Sequence, residues 1–134
     1  MKIKLSLVLV VATAVFGGIF VLIRALPGML QSQNVRVQIQ MAKADSICDN
    51  VGAMEKSKID RTEIERAQNA YQKVLLIDPN NQQAMARLVF LACLEDDVAQ
   101  ENIYIDKIKS LPQHDGPLRE AKTYIDLYGA GNRK

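Results

Sequence analysis

An all-α fold is predicted, with one N-terminal transmembrane helix followed by a short array of helical hairpins, about two repeats and a capping helix. Three observations predict it. Leu5 to Ile23 is a run of 19 residues without a charge. From residue 30 onward, apolar residues return every three or four positions, which is the helical period. Asn69, Tyr71, Leu75 and Pro79 recur 33 residues later as Asn102, Tyr104, Ile108 and Pro112.

As a helix, the apolar run would measure about 28 Å at ~1.5 Å per residue, close to the ~30 Å hydrocarbon core of a bilayer. Lys2 and Lys4 flank one side and Arg24 the other, and Pro27-Gly28 ends the helix. Ala12-Thr13-Ala14 fits a signal-peptidase pattern. Cutting there would leave the apolar stretch from Val15 to Leu22 at the new terminus, and the run exceeds the usual length of a signal core, so an uncleaved anchor is expected. The small charge bias places the N-terminus in the cytoplasm and residues 29–134 outside it, in a bacterium the periplasm. Ala14, Gly17 and Gly18 form a smooth face on which another membrane helix could pack closely.

Each later element has its own signals. Residues 30–57 read as a helix, with Val35, Ile39, Met41, Ala42, Ile47, Cys48, Val51 and Met54 as its apolar stripe and the polar stretch Gln31 to Gln40 as a stalk. Asp60 with Glu63 is a helix-start signal, and Thr62 with Glu65 offers the same one turn on, opening a helix over about 62–77 that presents Ile64, Ala67, Ala70, Tyr71, Val74 and Leu75. Asp78-Pro79-Asn80-Asn81 closes it, and either asparagine can cap the next helix, 82–95. From Leu88 to Leu94 that helix has no polar side chain except a thiol, so it is expected to be buried on nearly all sides. Glu95-Asp96-Asp97 is a solvated turn, and a helix over about 97–110 ends at Leu111-Pro112. A last helix starts at Asp115-Gly116-Pro117, with Pro117 at its first position, and Gly129 ends it. Its apolar face is Leu118, Ala121, Tyr124, Ile125 and Tyr128, and it would cover the open end of the array.

The spacing of Ala67, Tyr71 and Pro79, with Leu75 between them, resembles the second half of a tetratricopeptide repeat. Tyr104, Ile108 and Pro112 are the thinner second copy, in which Gln100 stands at the place of Ala67. The resemblance covers about residues 48–128 and implies a protein-binding array. Its domains are then an anchor (1–28), a stalk with the first repeat helix (29–58), a tetratricopeptide-like domain (59–128) and a loose tail (129–134). The family's inward groove would be lined here by Gln83, Ala86, Arg87 and Phe90. Only Arg87 among them suits a carboxylate clamp, so an acidic peptide tail is not the expected ligand. In the repeat register, Cys48 and Cys93 would lie on the order of 16 Å apart along roughly parallel helices, too far to bridge, so two free and buried thiols are expected.

Composition removes several function classes. The chain carries a net charge of +2, and residues 35–134 taken alone are slightly acidic, so a basic nucleic-acid surface is not expected. His114 is the only histidine, in a Pro-Gln-His-Asp-Gly loop, with no partner spacing for a metal site or a nucleophilic triad. No Gly-rich phosphate loop is present. The sequence therefore points to no catalytic residue, metal or cofactor. It points to a single-pass, membrane-held interaction module, an accessory, assembly or scaffold subunit of a larger membrane complex. A membrane-anchored receptor or adaptor for client proteins is the alternative. The expected partners are other proteins, a second copy of the chain among them, and the bilayer through residues 5–23.

Overall fold

The computed structural model describes residues 32–130, and every regular element among them is helical. The predicted membrane span, with Ala14, Gly17 and Gly18, lies outside the described residues, as do the last four residues of the tail. No helix among the described residues is long and apolar enough to cross a membrane. The chain divides into two compact units, Met1–Val35 and Arg36–Lys134, a boundary that falls inside the segment predicted as a stalk.

Helix α1 is described from residue 32 to residue 52. It stops sooner than the predicted 57, because Gly52 is a poor helix former and the chain turns into a short 3-10 segment, Lys56–Lys58. Its buried face also differs from the expected one. Ala44, Cys48 and Val51 are buried, with Val37, Met41 and Ile47 partly so. Val35, Ile39 and Met54 are instead 48%, 49% and 43% exposed. A helix this rich in apolar residues offers two candidate stripes, and the one that meets α2 and α3 becomes the core.

Helix α2, Arg61–Ile77, starts where Asp60 accepts a hydrogen bond from the Thr62 amide at 3.2 Å. Glu63 does not complete a capping box but pairs with Arg66 at 3.8 Å. Ile64, Ala67, Tyr71 and Val74 face inward. Helix α3, Gln82–Glu95, is capped by Asn81, which accepts from the Ala84 amide at 3.0 Å. It is buried from Ala84 through Cys93 except at Arg87, as its apolar run requires. The chain leaves it through Asp96 at φ 63°, a left-handed position that aspartate tolerates. Helix α4, Val98–Ser110, is capped by Asp97 and buries Glu101, Tyr104, Ile105 and Ile108.

Helix α5, Asp115–Tyr128, begins two residues sooner than predicted, so Pro117 sits at its third position, not its first. That costs no hydrogen bond, since first-turn amides have no partner inside the helix. The preceding residue, His114, gives no side-chain cap. Ala121 alone is fully buried, and Leu118, Tyr124 and Ile125 are partly covered. Gly129 closes the helix at φ −67°, and it is glycine for space: a Cβ there would stand 2.5 Å from the Ile125 carbonyl oxygen.

Helix α3 is the centre. It packs on α2, α4 and α5, and its Phe90 ring approaches Gly52 at the end of α1. Fully buried side chains such as Leu91 and Val89 each contribute about 1.5–3 kcal/mol of burial. Cys48 and Cys93 are both buried and are not bridged by a disulfide, as expected.

Candidate interaction surface

The repeat-signature residues hold the helices together. Tyr71 is fully buried, and its hydroxyl donates to Asp45 Oδ1 on α1 at 2.6 Å. The Tyr104 hydroxyl accepts from Gln72 Nε2 on α2 at 2.5 Å. Ala67 and Ile108 are buried, and Leu75 is partly so. Pro79 and Pro112 each stand two residues beyond the end of their helix, α2 and α4 respectively.

The four predicted groove residues do not form an open groove. Ala86 is 0% and Phe90 6% exposed. Phe90 is covered by Tyr124 and Tyr128 of α5, with ring centroids 5.0 and 5.2 Å away. Gln83 lines a shallow depression at the far end, where α5 begins. Helix α5 therefore occupies the face of α3 on which the sequence places a partner.

Arg87 is the polar centre of this face. Its side chain is 26% exposed and reaches α1 and α5 at once. The guanidinium donates to the Tyr124 hydroxyl at 2.9 Å. Tyr124 in turn donates to Glu120 Oε1 at 2.7 Å. Arg87 Nε stands 3.8 Å from Asp45 and 3.6 Å from Glu120, without a hydrogen bond of its own. A cation thus sits between two carboxylates on different helices, and one tyrosine ties down each carboxylate.

Burial first, and then the hydrogen bond to Asp45, push the Tyr71 hydroxyl far above its ordinary value. Tyr124 is raised by burial and by its bond to Glu120. Burial by itself would lower Arg87, but Tyr124, Tyr71, Glu120 and Asp45 outweigh it and hold the guanidinium protonated. The Cys48 thiol is raised chiefly by burial, which makes it a poor nucleophile. The arrangement braces helices, and each of these shifts moves the titration of its group further above neutral pH.

His114 belongs to the α4–α5 turn. Its Nδ1 lies 2.8 Å from the Leu111 carbonyl and its Nε2 3.9 Å from Asp115, so it fastens the turn on itself. Among the described residues no group of three His, Cys, Asp or Glu side chains could hold a metal ion. A roomy depression of about 560 Å³ lies elsewhere, open and bounded by Ile59, Ile64, Leu94 and the Glu95–Asp97 turn. Glu95 there is engaged by Gln68 at 2.7 Å and Arg61 at 3.7 Å.

Sequence reasoning does not single out Asp45, Glu101 or Glu120. Asp45 and Glu120 are far from Arg87 along the chain, and nothing local marks them. Glu101 is 4% exposed, and its Oε1 has no hydrogen-bond partner. Its one signal is register: it stands four and seven residues before the buried Ile105 and Ile108. Compared with known proteins, the chain matches no family model, no curated protein and no solved structure.

Proposed function

We propose that the chain is a non-catalytic, tetratricopeptide-like interaction module held at a membrane through residues 5–23, and that it serves as an accessory, assembly or scaffold subunit of a larger membrane complex. The observation that carries this reading is the equivalence of the two signature sets. Tyr71 on α2 and Tyr104 on α4 are both buried, both hydrogen-bonded to an earlier helix, and both followed by a proline two residues beyond the helix end. Two sequential helix pairs, each ending on a buried tyrosine and a closing proline, with a fifth helix over the last, fit a short hairpin array. The strongest polar constellation is spent on joining helices, which supports a binding role over a chemical one.

Cross-linking mass spectrometry on native membranes tests it. Stoichiometric cross-links from residues 82–128 to one membrane complex are expected. Cross-links scattered over many transient clients would replace the subunit reading with the receptor or adaptor one. Migration alone in gentle detergent, with no partner enriched, would sink both.

A further inference from the structure

We propose that α5 exchanges between two copies of this chain, so that each Arg87 is served by Glu120 and Tyr124 of the other copy. The inference needs no foreign partner and stands apart from the functional reading above.

The first ground is how α5 is held. Its anchoring contacts are made to α3: Tyr124 and Glu120 to Arg87, and Tyr124 and Tyr128 to Phe90. Two copies have identical α3 faces, so a second copy's α5 satisfies the same groups in the same geometry. Exchange of this kind needs no new surface.

The second ground is the hinge. Four residues, 111–114, separate α4 from α5. Leu111 is already extended, at φ −97° and ψ 150°, as a residue before proline prefers. Proline fixes its own φ at position 112. The return of α5 onto its own α3 therefore turns on Gln113, at φ 56°, and opening it gives up the His114 contact to the Leu111 carbonyl and the Gln82 hydrogen bond to the Pro112 carbonyl. Left-handed backbone is disfavoured for a residue with a Cβ, and glutamine lacks the short side chain by which Asn or Asp tolerates it. Releasing Gln113 to an extended conformation opens the hinge and carries α5 away from its own core. A short, strained hinge is the setting in which such exchange is favoured.

The third ground is what exchange leaves behind. A copy with its own α5 extended would expose Phe90 and an Arg87 without Tyr124 or Glu120. That state is costly in isolation and is relieved by an identical helix. The acceptor is thus selective for the Glu120, Tyr124, Tyr128 pattern.

A charge-swap experiment on the full-length chain in mild detergent tests this. Asp45→Asn is introduced throughout, so that it does not oppose a glutamate at position 87. One chain carries Arg87→Glu, a second Glu120→Arg, and a third both changes. Each single variant places like charges together in any pairing with itself. When the two are co-refolded, exchange gives one site with the swapped pair and one with the native pair. Native mass spectrometry should then show a ratio of hetero-pairs to homo-pairs about tenfold above that of random pairing, with the melting temperature recovered. Rescue of the doubly changed chain without rescue of the mixture would show that α5 stays on its own core, and would overturn the proposal. Lack of rescue in both would remove the Arg87 contact as its basis. A second measurement uses the hinge alone. Gln113→Gly relieves the closed turn and should lower the paired fraction of the chain that keeps Asp45, Arg87 and Glu120, whereas Gln113→Val should raise it. No change in either direction counts against the hinge and against exchange.

Discussion

At the residue scale the cost of a buried polar group decides most outcomes. Arg87 stands between Asp45 and Glu120, each about one third exposed. Arg87→Ala would leave those carboxylates without their cation and Tyr124 without a donor. After allowing for solvent screening, a loss of about 2 kcal/mol is expected, read as a lower denaturation midpoint at unchanged slope. Glu101 gives the opposite sign. Its carboxyl is buried with one oxygen unpartnered, so Glu101→Leu should stabilise by about 1 kcal/mol, and a lower melting temperature would show that the oxygen is satisfied in solution. The raised tyrosines set a pH dependence. A group whose folded value exceeds its unfolded one contributes stability below the unfolded value and loses it as pH rises. Tyr71, Tyr124 and Cys48 are all raised, so their contribution should be level near neutrality and decline above about pH 9–10. Tyr71→Phe should flatten part of that alkaline decline in a thermal melt series.

At the element scale, what is legible in the sequence is what is decided locally. Asp60, Asn81 and Asp97 cap the helices that follow them because a side-chain oxygen satisfies a free amide of its own first turn. The uniform burial of α3 is legible because its long apolar run leaves no polar face. The face of α1 is not, since Val35 and Ile39 have the same period as Val37, Met41 and Ala44, and only packing chooses between them. The occupied groove is not legible either: Arg87 and Phe90 read as the lining of a partner groove until α5 is placed over them. Two glycines, one within α5 and one at its end, separate space from propensity. A Cβ added at Gly116 would meet nothing within 4 Å, so Gly116→Ala should stabilise by about 0.5–1 kcal/mol. Gly129→Ala would drive a Cβ to 2.5 Å from the Ile125 carbonyl and should destabilise by about 1–3 kcal/mol. Paired thermal melts decide it, and equal effects at both sites would remove the steric account of Gly129.

At the scale of the compact unit 36–134, cooperativity follows from who touches whom. Helix α3 joins α2, α4 and α5 and shares a core with α1, so no helix loses α3 without losing most of its burial. Helix α5 is different: one fully buried residue, no side-chain cap, and a turn that relies on Gln113 at φ 56°. Elements with few buried groups open at free energies below that of global unfolding. Native-state hydrogen exchange on the full-length chain should therefore show α3 amides exchanging only through global unfolding and α5 amides through a smaller opening. Leu91→Ala removes a fully buried core side chain, costs about 2–5 kcal/mol, and should lower protection in all helices together. Tyr124→Phe removes the hydroxyl's bonds to Arg87 and Glu120 and should lower protection in α5 while leaving α3 nearly unchanged. Equal loss in α3 and α5 would mean that α5 belongs to the same cooperative unit. Such a result would also weaken α5 exchange, because a helix that opens only with the whole core cannot pass between two folded copies.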